Sequence, residues 1–320
     1  MDGEFNLSFK DIIGHEEVKQ QLYNSLSMGT ISHAHIFCGE DGIGKSILSK
    51  QFSINIIGKK QIKDYVDIVY QKIAKGKLSI GIGEILNIIN EINKKPYEGN
   101  RKVIIMHEAD KMTADAQNAF LKTIEEPPRG VFIILLCKSQ EGILDTIKSR
   151  CQIHNLKRLN NKDIRAFLNR DFPELDKDKL EIVISFCDGI PGRGVSFLKD
   201  AVFMELRSTV LDILKACSND KKNEILKYEE FFLKNRLIWR DVLICFLYYI
   251  RDIIVYKETR DEALVINRDK ALDIKELTDV FSFNKLSGMI EVVNDTAQNL
   301  EKNVNIALAI DSMLLNMQEV

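Results

Sequence analysis

The stretch Gly39–Ser46, reading GEDGIGKS, constrains this chain more than any other, because it satisfies the phosphate-loop pattern of Gly, four residues, Gly, Lys and Ser or Thr. The apolar run His35-Ile36-Phe37-Cys38 stands just before it, and Ile47, Leu48, Phe52, Ile56 and Ile57 recur after it at helical spacing. Strand, loop and helix therefore fall in the order that phosphate binding needs. Glycines let successive backbone N–H groups turn inward around a phosphate, and the following helix aims its positive end at the same place. The candidate nucleotide-binding residues are Gly39, Glu40, Asp41, Gly42, Ile43, Gly44, Lys45 and Ser46. Lys45 would reach the β- and γ-phosphates, and Ser46 is the candidate ligand to Mg²⁺, so ATP and Mg²⁺ are the expected cofactors. A plain glycine-rich turn with a solvated lysine is the competing reading.

At 320 residues the chain is too long for one small core and suits two or three domains. Lys and Arg number 45 against 47 Asp and Glu, a net charge of −2, so no global positive field marks a stand-alone nucleic-acid binder. No apolar stretch approaches the ~20 residues that cross a bilayer, and Met1 to Lys10 lacks a signal-peptide core. That predicts a cytoplasmic protein with no membrane contact. The six cysteines (Cys38, Cys137, Cys151, Cys187, Cys217, Cys245) are scattered without a CxxC pair and read as reduced, mostly buried thiols. The five histidines (His15, His33, His35, His107, His154) show no ligand grouping, and no zinc is expected.

Along the chain, Phe5 to Lys10 reads as a small apolar hook, after which Val18, Leu22, Leu26 and Met28 line one face of a helix. Tyr65 to Tyr70 alternates weakly like a strand. Ile85, Leu86, Ile88, Ile89 and Ile92 give a helical stripe that stops before Pro96. Val103 to Met106 and Val131 to Cys137 are continuous apolar runs, expected inside a parallel sheet. Between them Thr113 can cap a helix that Pro127-Pro128 ends. After Arg158 the strand signals cease. Asn160-Asn161 can cap a helix through Phe172, Leu180 to Cys187 forms a second, and Gly189 to Gly194 opens a third ending near Lys199. The remainder is helical throughout, with aromatic clusters at helical spacing that read as core. The expected architecture is an α/β core with a parallel sheet over 1–158, a small helical lid over 159–203 and an all-α domain over 204–320.

Chemistry in phosphate-loop enzymes concentrates at a neighbouring strand end, where one carboxylate holds Mg²⁺ and another orients water. Here that position reads His107-Glu108-Ala109-Asp110. A neutral imidazole is a poor ligand for a hard, oxygen-seeking ion, so the metal site looks damaged, while Glu108 keeps the second carboxylate. Arg150, after the short helix carrying Leu144 and Ile147, has two readings: a guanidinium that reaches another subunit's nucleotide, or an exposed arginine with no task. Arg193 can touch a nucleotide from above or simply belong to a glycine- and proline-rich turn.

Together these motifs resemble the clamp-loader branch of the AAA+ ATPases. SHAHIFCGEDGIGKS resembles that family's phosphate-loop segment and KVIIMHEADKMTADAQNAFLKTIEEPP its second motif and following helix. IKSRC resembles its arginine-finger motif and NVNIALAIDSMLL the closing helix of its collar domain. The departures are instructive. Motor subunits have Asp-Glu where this chain has His107-Glu108, no cysteines lie between Gln51 and Ile80 where many relatives bind zinc, and Cys137-Lys138 replaces the Thr or Asn of the first sensor. Arg193 is displaced by one residue from the usual Gly-x-x-Arg spacing. The resemblance implies a ring subunit that helps load a sliding clamp onto primed DNA, with Arg150 acting in trans on an adjacent site, and hydrolysing ATP itself weakly or not at all. Implied partners are gamma/tau-like and delta-like loader subunits, the clamp and, through the ring, primed DNA. An active, gamma/tau-like DNA-dependent ATPase is the alternative, and an unrelated phosphate-loop kinase a remote third.

Overall fold

A computed structural model describes residues 9–73, 77, 79–199, 201–218, 226–302 and 304–320. The Phe5–Ser8 part of the expected hook and Asn303 of the closing segment lie outside the described residues. The chain divides into two compact units, one formed by Met1–Glu174 with Cys187–Arg193 and the other by Leu175–Phe186 with Gly194–Val320.

The first unit opens with helix α1 (Glu16–Ser27), strand β1 (Ala34–Cys38) and helix α2 (Lys45–Ile56). Next come β2 (Ile68–Gln71), α3 (Ile82–Ile92), β3 (Lys102–Met106) and α4 (Ala114–Glu125). The series closes with β4 (Val131–Cys137), α5 (Asp145–Lys148), β5 (Gln152–Asn155) and α6 (Asn161–Asp171). The strands form one parallel sheet in the order β2-β3-β4-β1-β5. Its central strands are apolar on both faces because helices cover both faces. Successive residues then serve opposite cores. Ile36, Ile104, Ile133 and Leu135 meet Ile85 and Ile88 of α3 and Phe120 and Ile124 of α4. Phe37, Ile105, Ile134 and Leu136 meet Leu22 of α1 and Leu48 and Phe52 of α2. Each such side chain contributes about 1.5–3 kcal/mol on burial.

The expected caps are present. Thr113 Oγ1 accepts from the Ala116 N–H at 3.2 Å and Asn160 Oδ1 from the Asp163 N–H at 2.9 Å, each satisfying a donor at a helix start. Three sequence assignments need correcting. Met28 falls just past the end of α1 and is 72% exposed, Ile47 is 65% exposed because the buried stripe of α2 runs through Leu48, Phe52 and Ile56 instead, and Leu86 is 51% exposed because α3 buries Ile85, Ile88 and Ile92. Strand β5 was not expected; it is four residues long and pairs with β1 at the sheet's edge.

Helices α7 (Lys177–Cys187) and α8 (Pro191–Lys199) begin the helical part of the chain. The second unit holds α9 (Ala201–Cys217), α10 (Glu229–Lys234), α11 (Trp239–Thr259), α12 (Ala271–Val280), α13 (Phe283–Glu301) and α14 (Ile306–Glu319), with short 3₁₀ turns just before α10, α11 and α12. Val210 and Leu214 of α9, Phe246 and Ile250 of α11, Met289 of α13, and Met313 and Leu314 of α14 are buried. The core also holds a charge: Arg207, 2% exposed, donates to both carboxylate oxygens of Asp269 and to Asn267 Oδ1 at 2.8 Å, beneath the Phe197 ring. Pairing of both terminal nitrogens makes the buried guanidinium tolerable, with Nε alone left without a partner among the described residues.

Candidate functional site

The loop between β1 and α2 sits at the carboxyl end of an interior strand, flanked by β4 and β5. Gly42 and Gly44 have φ of +84° and +111°, which side-chain-bearing residues rarely adopt, so the loop curls as the pattern requires and hands over directly to α2. The unsatisfied N–H groups of the first turn of α2 and its dipole face the loop. Lys45 is folded back on that loop, donating to the carbonyls of Gly39 and of Glu40 (3.0 Å) and to Asp41 Oδ1 at 3.2 Å. An ammonium has three donors, and oxygens of its own loop take all three. Ser46 is exposed beside it. His15, whose part the sequence did not reveal, joins the site by a 3.0 Å hydrogen bond between its Nε2 and the Ile43 carbonyl.

His107 follows β3, with its N–H on the Gln71 carbonyl at 2.9 Å. Burial, the positive charge of Lys72 and then that of Lys45 hold its pKa below the usual histidine value, against an opposing pull from Glu108. The imidazole is therefore neutral at physiological pH. Glu108 has φ +53°, begins a 3₁₀ turn (Ala109–Lys111) and pairs with Lys111. Asp110 Oδ2 accepts from the Lys138 N–H at 3.2 Å. The loop and the β3 terminus thus offer one lysine, one hydroxyl and an imidazole where an Mg²⁺ carboxylate would stand. The donors fit a phosphate well and the divalent ion poorly.

Arg193 and the phosphate loop are brought together, by contacts that sequence reading did not find. Glu40 accepts from Arg158 Nε at 2.6 Å and from Arg193 Nη2 at 3.2 Å, while Asp188 accepts from both arginines. Burial pushes the Glu40 carboxyl up, but the hydrogen bond and charge of Arg158, with the charge of Arg193, outweigh it and hold the pKa below the carboxylate range. The backbones touch as well. Gly192 donates its N–H to the Gly42 carbonyl at 3.0 Å, and a Cβ on Gly192 would come within 2.6 Å of Gly42 Cα. The Cys187–Arg193 turn therefore packs directly on the phosphate loop.

Arg150 is separate from this cluster. Its Nε pairs with Glu125 Oε1 of α4 at 2.5 Å, and its Nη1 donates to the Thr146 carbonyl at 2.8 Å and to Ser149 Oγ at 3.1 Å. The Arg150 side chain remains 39% exposed. Buried Gln117 of α4 donates to the Gly142 carbonyl at 2.8 Å and accepts from the Leu144 N–H at 2.8 Å, which fixes the segment leading into the arginine's helix. No group of three His, Cys, Asp or Glu among the described residues could hold a metal ion, and no helix among them is long and apolar enough to cross a membrane.

The parallel sheet with flanking helices, the phosphate loop at the carboxyl end of β1 and the trailing helical region define an α/β phosphate-loop fold followed by an all-helical part. Two family profiles match it in chain order: DNA polymerase III, delta subunit, over residues 14–160, and DNA polymerase III, delta subunit, C terminal, over residues 201–319. Bacillus subtilis DNA polymerase III subunit delta' is 24% identical over 94% of this chain and 95% of its own length. Subunit tau of the same organism is also 24% identical, over 92% of this chain and 58% of its own length. Subunit gamma of Buchnera aphidicola is 28% identical over 62% and 59%. The chain thus spans about three fifths of the tau and gamma relatives. A gamma subunit-related protein from Thermotoga maritima superposes over 93% of this chain and 99% of its own, with 19% identity and a TM-score of 0.48, too loose a likeness to argue from. The chain belongs to the clamp-loader AAA+ family, with relatives named as DNA polymerase III delta', gamma and tau subunits.

Proposed function

We propose that this chain is the delta-prime-like member of its loader: a ring subunit that completes a neighbour's ATP site through Arg150 and turns over little or no ATP itself. The observation that carries this reading is that His107 stands at the end of β3, where a motor subunit needs a carboxylate for Mg²⁺. Similarity to a delta' subunit over 94% of this chain and 95% of that relative supports it. Nucleotide binding is a separate matter from turnover. Bound at Gly39–Ser46, ATP would have its β- and γ-phosphates held by loop N–H groups and by Lys45, which would exchange its bonds to Gly39, Glu40 and Asp41 for phosphate oxygens. Ser46 would ligate any accompanying Mg²⁺. Arg193 would have to leave Glu40 to reach the nucleotide. In this reading 1–158 is the nucleotide core, 159–203 the lid and 204–320 the collar through which the ring is held, and the protein works in the cytoplasm.

The intact lysine and serine of the loop favour the second reading, a gamma/tau-like motor. Reconstitution separates them. Mixed with gamma/tau-like and delta-like subunits from the same source, the chain is expected to enter one discrete assembly by size-exclusion chromatography and light scattering, alongside the motor subunits. If instead it forms the complete ring with the delta-like subunit alone, occupying every motor place, the delta-prime reading is wrong.

A further inference from the structure

Two of the six cysteines are direct neighbours across the sheet. Cys38 ends β1 and Cys137 ends β4, and they are in register as the last pair of that ladder. Both face the core that contains Ile36 and Leu135, while the residues before them, Phe37 and Leu136, face the other. Adjacent strands lie about 4.7–4.9 Å apart, inside the 4.4–6.8 Å Cα separation that a disulfide spans. In the reduced form each thiol donates to a backbone carbonyl of the same sheet end, Cys38 Sγ to Lys138 at 3.6 Å and Cys137 Sγ to Phe37 at 3.8 Å. Their position matters: Gly39, the first residue of the phosphate loop, follows Cys38 and donates its N–H to the Cys137 carbonyl at 3.1 Å. We propose that Cys38 and Cys137 form a reversible dithiol oxidation site at the root of the phosphate loop, closing to a cross-strand disulfide when a peroxide reaches it.

The two thiols are unlike. Cys38 is 8% exposed and Cys137 1%. The neighbouring Cys137 thiol draws the Cys38 thiol below its ordinary pKa, and the charge of Lys45 helps, while burial opposes; Cys137 is pushed up by its Cys38 neighbour and by burial. Cys38 is therefore the attacking sulfur and Cys137 the resolving one. The Cys38 thiolate attacks one peroxide oxygen, the O–O bond breaks, and the other oxygen leaves as water once protonated, giving a Cys38 sulfenic acid. The Cys137 sulfur then attacks the Cys38 sulfur and the S–O bond breaks. The oxygen departs as a second water, carrying the Cys137 proton. Each sulfur loses one electron and the peroxide gains two. An external thiol reverses the reaction by exchange. The other cysteines with resolved shifts, Cys151, Cys217 and Cys245, are held as neutral thiols by burial and serve as internal controls.

Pulling the sulfurs to a bond length of about 2.05 Å draws the end of β1 against β4 and shifts Gly39, whose carbonyl anchors Lys45. The functional consequence rests on the nucleotide reading above. The test treats the full chain with stoichiometric hydrogen peroxide, maps peptides by mass spectrometry, and titrates oxidised and re-reduced protein with a fluorescent ATP analogue and Mg²⁺. A Cys38–Cys137 linked peptide is expected, absent in Cys38→Ser and Cys137→Ser and removed by dithiothreitol. Nucleotide affinity should fall about fivefold or more on oxidation and recover on reduction. Retention of both thiols, or conversion of Cys38 to sulfinic acid without the linked peptide, overturns the proposal. A linked peptide with unchanged affinity overturns the coupling to the loop. If the reduced chain binds no nucleotide at all, the nucleotide reading fails and takes the coupling with it, while the peptide map still decides the disulfide.

Discussion

Replacing Arg150 by alanine is expected to lower ATP turnover of the reconstituted loader, with clamp and primed DNA, by more than about tenfold while leaving the assembly intact on size exclusion. An arginine that reaches a neighbour's transferring phosphoryl group stabilises charge as it develops, and such residues are worth about 10³-fold or more at the site they serve. Arg150 is suited to that work. Glu125 and the Thr146 carbonyl hold Nε and Nη1, so the side chain is aimed without being used up, and among the described residues Nη2 has no hydrogen bond. Arg150→Lys keeps the charge but loses the planar fork, and it should recover only part of the rate. Turnover unchanged by Arg150→Ala would leave this arginine without a task beyond its ion pair.

The second large effect is on stability. His35 and His154 are 0% and 1% exposed, stacked with ring centroids 5.3 Å apart and joined by a 3.1 Å hydrogen bond between His35 Nδ1 and His154 Nε2. His35 Nε2 also lies 2.9 Å from the Ser32 carbonyl, which can only accept. His35 therefore carries its proton on Nε2 and accepts at Nδ1 from His154, whose own Nδ1 has no partner. Both rings are neutral, and a proton added to either makes a buried charge with nothing to balance it. Burial, and for His35 the neighbouring His154, lowers the two pKa values from 6.5 to about 3 and about 4.

Because the folded values lie below the unfolded ones, this contribution is complete above pH 6.5. It is lost as pH falls through the window down to about 4 for His154 and about 3 for His35, where the unfolded chain takes up protons that the folded chain refuses. Each histidine supplies up to about 1.4 kcal/mol per pH unit, so urea unfolding followed by circular dichroism should show roughly 2–4 kcal/mol less stability at pH 5 than at pH 7. In His154→Leu the loss should be about half as large. An equal loss in that variant would mean that other groups carry the acid sensitivity.

What could be read from the chain and what could not divides along physical lines. Apolar runs long enough to be buried on both faces revealed β1, β3 and β4, the glycine pattern revealed the loop, and Thr113 and Asn160 marked their helices because capping is a local act. Strand β5 escaped because Gln152-Ile153-His154-Asn155 is short, polar at both ends and pairs on one side only. Helical periodicity misplaced Met28 and Ile47 because a buried stripe loses its meaning at a helix end, where the chain turns away from the core or has not yet packed on it.

Long-range pairings were the least legible. Glu40 meets Arg158 across 118 residues and Arg193 across 153, and His35 meets His154 across 119. No spacing rule connects such positions; only the parallel sheet order and the turn at Cys187–Arg193 bring them together. The candidate site was thus half visible. Its loop lay in a motif, whereas the ion pairs between Glu40, Asp188 and the two arginines, and the contact of His15 with Ile43, needed the fold.

The measurement that decides most directly whether this chain serves its neighbour's site or runs its own is ATP turnover of the reconstituted loader carrying Lys45→Ala in this chain alone, with clamp and primed DNA present. If the neighbour's site is the one served, turnover stays within about twofold of the unmodified assembly, because removing the phosphate-loop lysine disables only a site that contributes little hydrolysis. A fall as large as that expected for Arg150→Ala would contradict this and make the chain a motor in its own right.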